Sequence, residues 1–188
     1  MNPLPTRDSA LALLRQHVAN PNMIKHCLAT EAVMRSIAPR FSADPDQWGL
    51  AGLLHDVDVE LTNGDPEIHG TKAAEMLRTL GLDEESITAI RRHNEQASKE
   101  PRSTVFDHAL AASETITGLV TATTLVYPDK KVASVKPSSV VKRMKEKLFA
   151  ASVNRDTIRE CEGIGIPLPE FAETAVRAMQ QISDTLGL

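Results

Sequence analysis

The sequence is poor in aromatic residues and in cysteine. Aromatic side chains make up 3% of the 188 residues, whereas apolar side chains together make up 41%. A β-sandwich would need more aromatic and β-branched residues, so this composition favours packed helices. The two cysteines, Cys27 and Cys161, lie far apart and form no CxxC pair. The sequence therefore predicts neither a thiolate zinc site nor a disulfide framework.

Long apolar runs and a strong net charge are also missing. No stretch approaches the roughly 20 apolar residues that a membrane span needs. The N-terminus lacks the charged lead and the long apolar run of a signal peptide. The formal net charge of −4 gives no whole-chain reason to expect a nucleic-acid partner. We therefore expect a soluble, reduced, cytoplasmic protein without a membrane or nucleic-acid partner.

Helix-start signals recur along the chain. Three pairs of a capping residue and a proline predict helix starts: Asn20-Pro21, Asp44-Pro45 and Asp65-Pro66. Asp83 and Ser103 predict the caps of two further helices, the second of which Pro128 ends. Strand signals are nearly absent. The predicted fold class is therefore all-α.

The remaining third of the chain predicts helices that extend the same fold. A helix from Ser138 should place Val140, Met144 and Leu148 inward, and a last helix should begin near Pro169. We expect one domain over residues 1–188. Its core would span about 20–127, followed by a basic segment and C-terminal helices over 128–188.

Histidines are placed where apolar side chains point. Four of the six fall on four different predicted helices, on an apolar stripe or at the end of an apolar helix: His26, His55, His69 and His93. The stretch from Trp48 to Leu54 is apolar or small, and His55-Asp56 follows at once. Burying such groups is costly unless they are hydrogen-bonded or bound to a metal. Imidazole and carboxylate together suit divalent ions such as zinc, iron, manganese or nickel.

The order of these residues resembles the HD-domain superfamily of metal-dependent phosphohydrolases. The match runs from His26 through His55-Asp56, His69 and His93 to a late acid on the sixth predicted helix, about half of the chain. The segment ASETITGLV is also similar to the AADxxTGLV-like stretch of small HDIG-type members, an uncharacterised single-domain subgroup. The resemblance implies an all-helical HD bundle with a C-terminal helical extension.

The resemblance also implies two divalent ions, which could be Mn, Fe, Zn, Ni or Mg. The implied ligands are His26, His55, Asp56, His69, His93 and Glu114. Asp56 would bridge the two ions, with His69 and His93 on the second ion and the other ligands on the first. The late acid of the family is usually aspartate, so Glu114 is a departure. Asp107, seven residues earlier and near the same helix face, is its rival.

Catalytic roles are predicted for Asp56 and Asp58. Two ions can activate a water and clamp a phosphoryl oxygen, so no serine or cysteine nucleophile is required. Asp58 could orient the water or only cap the helix end, and both alternatives remain open. A purely structural metal is the competing reading of the site, although structural sites are usually closed four-ligand tetrahedra rich in cysteine.

A basic segment over 130–147 is the candidate contact for an anionic substrate. It holds seven lysine and arginine residues against the single acid Glu146. In an otherwise acidic chain it could attract phosphate, with Lys136 and Arg143 as first candidates, or it could be an ordinary solvated face.

The leading functional hypothesis is a metal-dependent hydrolysis of a small phosphorylated molecule, with a nucleotide as the first candidate. One alternative is a di-iron oxygenase of the same superfamily, which iron content and oxygen dependence would reveal. The other is a non-enzymatic helical domain that binds a ligand or nucleic acid through its basic segment. Steep salt dependence without turnover would favour that reading. No sequence pattern predicts the oligomeric state.

Overall fold

The computed structural model describes residues 5–188, and these residues form helices, turns and loops without any strand. The α-helices in this part of the chain are α1 (Arg7–His17), α2 (Pro21–Ile37), α3 (Pro45–Leu54), α4 (Thr71–Arg78), α5 (Glu84–His93), α6 (Glu95–Ser98), α7 (Val105–Leu125), α8 (Pro137–Arg143), α9 (Arg155–Gly163), α10 (Leu168–Gln181) and α11 (Ser183–Leu186). Two short 3₁₀ turns cover Ala38–Phe41 and Val132–Ser134. The predicted all-α fold class is confirmed.

Local capping chemistry starts α2, α3 and α5 where the sequence predicts. The side chains of Asn20 and Asp44 accept hydrogen bonds from the backbone N–H two residues later, at 2.9 and 2.8 Å. Asp83 accepts from the backbone N–H of Ser86 at 2.9 Å. Each bond satisfies one of the N–H groups that a helix start leaves without an intrahelical partner.

The long helix α7 begins with a capping box that is one residue later than predicted. Thr104, rather than Ser103, is the N-cap, and its hydroxyl accepts from the backbone N–H of Asp107 at 3.1 Å. The Asp107 carboxylate accepts in return from the backbone N–H of Thr104 at 3.1 Å. The two residues therefore fix the first turn of α7 together.

The helix predicted from Asp65-Pro66 begins later, and that prediction was wrong. Residues 65–70 form turns, and Gly70 has a φ of +88°, which a right-handed helix does not allow. α4 begins only at Thr71. His69 therefore lies in a turn before a helix, not on a helical stripe.

The inward position predicted for Leu148 was also wrong. α8 ends at Arg143, and turns follow it, so helical periodicity no longer applies. The Leu148 side chain is 95% exposed, whereas Val140 and Met144 are buried as predicted.

Helix α7 lies at the centre of the described fold and packs against α2, α5 and α9. Its side chains Leu110, Ile116 and Leu119 have no exposed surface. α10 covers α2 and α8, and its Phe171 and Met179 are fully buried. No helix among residues 5–188 has the length and apolar character needed to cross a membrane.

Aromatic side chains join α3 to α7. The Trp48 ring stacks on Phe106 with centroids 4.8 Å apart and planes 7° apart. On its other side Trp48 stacks on Phe41, with centroids 5.5 Å apart. At the other end of α3, Gly52 lets α2 approach closely. A Cβ there would lie 3.0 Å from the backbone of Thr30 and Glu31. These contacts fix the direction of α3, which leads directly to His55 and Asp56.

Candidate metal centre

The fold brings the six predicted ligands into two adjoining groups. One group contains His26, His55 and Glu114, and the other contains Asp56, His69 and His93. Within each group one ligand atom from each residue lies within 4.8 Å of the others. The helices α2, α5 and α7 carry one residue each, and the remaining three lie in the turns that follow α3 and precede α4.

The first group is centred on His26. Its Nε2 atom lies 3.2 Å from Nε2 of His55 and 3.9 Å from Oε2 of Glu114. His55 is 1% exposed, whereas the side chains of His26 and Glu114 are 22% and 24% exposed. The open side of this group is therefore the side where α2 and α7 face each other.

The second group is centred on the turn before α4. Nε2 of His69 lies 3.3 Å from Nε2 of His93 and 3.0 Å from Oδ1 of Asp56. Nε2 of His93 lies 3.6 Å from the same carboxylate oxygen.

The Asp56 carboxylate stands between the two groups. Its Oδ1 atom lies 3.0 and 3.6 Å from Nε2 of His69 and His93, and also 3.3 Å from Nε2 of His55. Its Oδ2 atom lies 3.6 Å from Nε2 of His26. The carboxylate thus lies next to histidines of both groups, a position from which it could bridge two ions. Neighbouring residues on a helix diverge by about 100°. Because His55 caps the end of α3 and Asp56 lies in the following turn, both side chains can nevertheless reach the cluster.

Each imidazole is held through its Nδ1 atom. Nδ1 of His55 and of His93 donates to a backbone carbonyl, that of Gly52 at 2.8 Å and that of Ile90 at 2.5 Å. Because a carbonyl oxygen only accepts, Nδ1 must carry the proton in both rings. His69 donates from Nδ1 to Asp58 at 2.7 Å. Hydrogen bonds of this kind fix the orientation of ligating histidines in metal sites.

His26 is held by α7. The Thr117 hydroxyl donates to the Glu114 carbonyl at 2.7 Å, so it accepts from Nδ1 of His26 at 3.0 Å. The Nε2 atoms of His26 and His55 therefore both present lone pairs, and these face each other across 3.2 Å. Two facing lone pairs repel each other, whereas a cation between them would bind both. The donor set fits a divalent metal on this ground.

The protonation preferences of three imidazoles agree with that fit, whereas Glu114 would have to lose its proton to bind a metal. Burial lowers the pKa of His55 to about 3, and burial also lowers the pKa values of His26 and His93. Burial raises the pKa of Glu114 to about 8. Three of the rings are thus neutral at pH 7, the state in which imidazole binds a metal.

His69 behaves differently because it lies between two carboxylates. Burial opposes its protonation, but hydrogen bonds to Asp56 and Asp58 outweigh burial and raise its pKa to about 10. Burial also works against ionisation of Asp56, yet the surrounding histidines hold its pKa well below the usual range. Asp56 and Asp58 thus stabilise a positive charge on His69, and a metal bound at the second group would have to displace a proton from this ring.

Asp58 contacts the cluster only through Nδ1 of His69 and is not one of the six candidate ligands. The side chain has no exposed surface. One oxygen accepts from His69, and the other accepts from the backbone N–H groups of Gly70 and Ala73 at 2.9 and 2.8 Å. With both oxygens engaged, the geometry favours orientation of His69 and capping of α4 over contact with a water.

The two rival late acids have separate positions. Glu114 lies in the first group. Asp107 is engaged in the capping box of α7 and also accepts from the Arg92 guanidinium at 3.0 Å. The geometry thus favours Glu114 as the ligand, and it gives Asp107 a structural task.

Two supporting residues were missed at the sequence level. Asn94 donates from its side chain to the carbonyls of Pro66 and His69, both at 2.9 Å. It directly follows His93, and this adjacency was the only available signal. Arg102 donates to the carbonyl of His93 at 2.9 Å while it pairs with Glu160 of α9. Because both residues act on backbone carbonyls, no motif marks them.

A cavity of about 260 Å³ borders the cluster. Its lining residues are His26, His93, Glu114, Thr115, Gly118, Ser152, Val153, Asn154 and Thr157. Arg155 fixes the outer wall, because its guanidinium donates to the carbonyls of Ala150 and Val153 at 2.6 Å each.

Neither Lys136 nor Arg143 belongs to the lining of this cavity. Lys136 is exposed, and Arg143 pairs with Glu146 and lies over the Phe149 ring. Their predicted contact with phosphate stays a prediction.

A comparison with known protein families identifies the class. A model of the HD domain family matches residues 23–123, which is more than half of the chain. The chain belongs to the HD domain family, which is a family of metal-dependent hydrolases. It is also 33% identical over 91 residues to an uncharacterized protein of Methanocaldococcus jannaschii. That alignment covers 46% of this chain and 52% of the relative, so the chain spans about half the length of the relative. No solved structure matches the chain.

Proposed function

We propose that the protein is a phosphohydrolase, either a phosphomonoesterase or a phosphodiesterase, that acts on a small phosphorylated molecule such as a nucleotide. Its membership in the HD family supports hydrolysis that depends on a metal. The observation that carries the proposal is the position of the Asp56 carboxylate between two histidine-containing groups. Its Oδ1 atom lies 3.0 Å from Nε2 of His69 and 3.3 Å from Nε2 of His55, and its Oδ2 atom lies 3.6 Å from Nε2 of His26.

Each residue of the cluster has a role in this proposal. His26, His55 and Glu114 would hold one divalent ion, and His69 and His93 would hold a second, with Asp56 as a ligand available to both. Two ions at such a site can activate a water and stabilise the charge on a phosphoryl group.

The chain itself supplies orientation and controls the access of water. The Nδ1 hydrogen bonds fix the four rings before any ion binds. Asp58 acts through His69 and is therefore a positioning residue. The apolar end of α3, with Leu53 and Leu54 buried, closes the site from the core side. Among the described residues the cluster is most open where the side chains of His26 and Glu114 are partly exposed, and substrate would approach from that side.

The first test is a count of metals per chain by elemental analysis of the purified protein, followed by a panel of phosphoesters. The proposal is supported if each chain holds about two metal ions other than iron and the protein hydrolyses a phosphoester. Two irons with oxygen uptake and no phosphate release would favour the di-iron oxygenase. Absence of bound metal after soaking with manganese, zinc or iron would overturn the proposal.

The second test removes individual ligands. His55→Ala or Asp56→Ala should abolish hydrolysis while circular dichroism still shows the helical fold. His69→Ala or His93→Ala should chiefly lower the occupancy of the second ion. His17→Ala, a histidine on α1 outside the cluster, is the matched control and should keep full activity. Full turnover in both the His55 and the Asp56 variant would contradict the site.

A further inference from the structure

A groove of about 550 Å³ adjoins the metal centre between α2 and α7. On α2 the lining residues lie three, four and seven positions after the first one, so they share a single helix face: Asn22, Lys25, His26 and Ala29. On α7 they recur with the same spacing: Gly118, Thr121, Ala122 and Leu125. Residues 186–188 form the third side. His26 and Gly118 also line the cavity beside Glu114, so the groove and the metal centre are neighbours.

Small side chains create this groove. Ala29, Gly118 and Ala122 stand where larger residues would fill the space between the two helices. A Cβ at Gly118 would meet only a methyl group of Val153, at an ordinary distance of 3.4 Å. Packing therefore does not demand glycine at this position. A volume within the usual range of small-molecule sites is consistent with a ligand.

The groove carries positive charge through Lys25. The described residues that line it include this lysine and neither aspartate nor glutamate. Within residues 5–188, Lys72 and Lys99 pair with the carboxylates of Glu75 and Glu67, at 3.0 and 2.8 Å. Among these same residues Lys25 forms no such pair, like the lysines of the basic segment, but it is half-buried and lines the groove. A partly buried ammonium group without a carboxylate partner attracts an anion.

We propose that this groove binds the organic part of a phosphorylated substrate and that Lys25 contacts its phosphate group. The inference rests on the proposed function and narrows its substrate class. The substrate is a small organic phosphoester with an uncharged group of about nucleoside size. Asn22 and Thr121 offer hydrogen bonds to that group, while Ala122 and Leu125 offer apolar surface.

Two variants separate the two parts of this proposal. Lys25→Gln removes the charge, and Ala122→Leu fills the groove without a change of charge. Lys72→Gln and Ala12→Leu are the matched controls, since Lys72 is an exposed lysine on α4 outside the groove and Ala12 is an exposed alanine on α1. Circular dichroism and the metal content of each variant would show that fold and metal centre are kept.

Binding is measured by titration calorimetry on the metal-loaded full chain. The probes are the four ribonucleoside 5′-monophosphates and inorganic phosphate. Hydrogen bonds to charged groups are strong, so Lys25→Gln should weaken both kinds of probe by about 10- to 100-fold. Ala122→Leu should weaken the best nucleoside monophosphate by about tenfold or more and leave inorganic phosphate within about twofold. Both controls should match the unaltered protein.

Other results would overturn the inference. It fails if no nucleoside monophosphate binds more tightly than inorganic phosphate, or if Lys25→Gln binds as Lys72→Gln does. It also fails if Ala122→Leu weakens both probes equally. If the protein hydrolyses phosphoesters but gives one of these binding results, the proposed function is supported and the role of the groove is contradicted. If binding depends on the groove but no phosphoester is hydrolysed, the role of the groove is supported and the proposed function is contradicted.

Discussion

The direction of the His69 ring depends on one buried carboxylate. Asp58 accepts from His69 with one oxygen and from two backbone N–H groups of the α4 start with the other. The same side chain therefore positions a candidate ligand and starts a helix. A change at this position affects both the metal centre and the local fold.

Asp58→Asn tests this double role. The amide keeps one oxygen but turns its NH₂ group towards a donor, so one buried donor loses its acceptor. We expect a loss of about 1–3 kcal/mol in the free energy of unfolding. We also expect about 10- to 100-fold weaker binding of the second ion, as for other residues that orient metal ligands. Chemical denaturation and metal titration measure the two effects.

The control for Asp58→Asn is Asp156→Asn, which changes an exposed aspartate on α9. It should alter neither quantity. Unchanged metal affinity in Asp58→Asn, with only stability reduced, would restrict Asp58 to the capping of α4.

Individual ligands could be proposed from the sequence, but their supports could not. The order of His26, His55-Asp56, His69 and His93 contains the information that a family resemblance uses. Asn94 and Arg102 act on the backbone carbonyls of residues such as His69 and His93, which any residue type would present. Nothing in the sequence marks a carbonyl as the partner of a distant side chain.

The contact between α2 and α3 sets the position of the HD pair. A Cβ at Gly52 would lie 3.0 Å from backbone atoms of α2, which cannot yield as a flexible side chain can. The Gly52 carbonyl also accepts from Nδ1 of His55. A displacement of α3 at this contact would therefore also move a candidate ligand.

Gly52→Ala should lower the free energy of unfolding by about 1–3 kcal/mol, the usual cost of an overpacked core. Metal affinity should fall as well, because the displacement of α3 that the added Cβ requires would move His55 together with the carbonyl that holds it. Gly163→Ala is the matched control, since nothing lies within 4 Å of a Cβ there and the residue ends α9. It should be neutral or slightly stabilising. Urea denaturation distinguishes the two variants, and equal stabilities would contradict the close contact.

The start of α7 should contribute a pH-dependent part of the stability. Burial raises the pKa of Asp107, but backbone hydrogen bonds from Ser103 and Thr104 and the Arg92 guanidinium outweigh burial and lower it. A carboxyl whose pKa is lower in the folded protein stabilises it above the unfolded value of about 3.9. This stabilisation is lost as the pH falls through the folded pKa.

Asp107→Asn should therefore lower the free energy of unfolding by about 1–2 kcal/mol at pH 7, the range for loss of a helix cap. The difference in the free energy of unfolding between the variant and the unaltered protein should narrow below about pH 4, because the Asp107 carboxyl then becomes protonated and loses its charge. Urea denaturation at a series of pH values measures this difference. A difference that stays constant down to pH 2.5 would show that the Asp107 charge contributes nothing.

Helix starts were predictable where the cap is local in sequence. Asn20, Asp44 and Asp83 each bond within three residues, so the pattern and the structure agree. The start of α4 was misplaced because its cap comes from Asp58, more than ten residues earlier. Caps supplied across the tertiary structure leave no local pattern. The end of α8 was missed for a different reason, since helical periodicity does not reveal the turns after Arg143, in which the carbonyls of Ala150 and Val153 accept from Arg155.

Bound metal should stabilise the molecule as a whole, because the six candidate ligands come from segments spread between α2 and α7. Free metal at about 100 times its dissociation constant adds about 2.7 kcal/mol per site to the folded state. For a chain of this length that corresponds to a rise of about 5–10 °C in the thermal midpoint.

Differential scanning calorimetry with and without a chelator measures this shift. His55→Ala should show a smaller shift, and His17→Ala should show the full one. A midpoint that does not respond to metal in the unaltered protein would contradict binding to the folded state.

The stack of Trp48 on Phe106 gives the protein an intrinsic fluorescent reporter of the contact between α3 and α7. Trp48 is the only tryptophan of the chain and is 5% exposed. Its emission should therefore be blue-shifted in the folded protein and move to longer wavelength when α3 separates from α7. Since the same helix ends at His55, one intrinsic fluorophore reports on the element that carries the HD pair. Unfolding and metal titrations can thus be followed in a cuvette without an attached label.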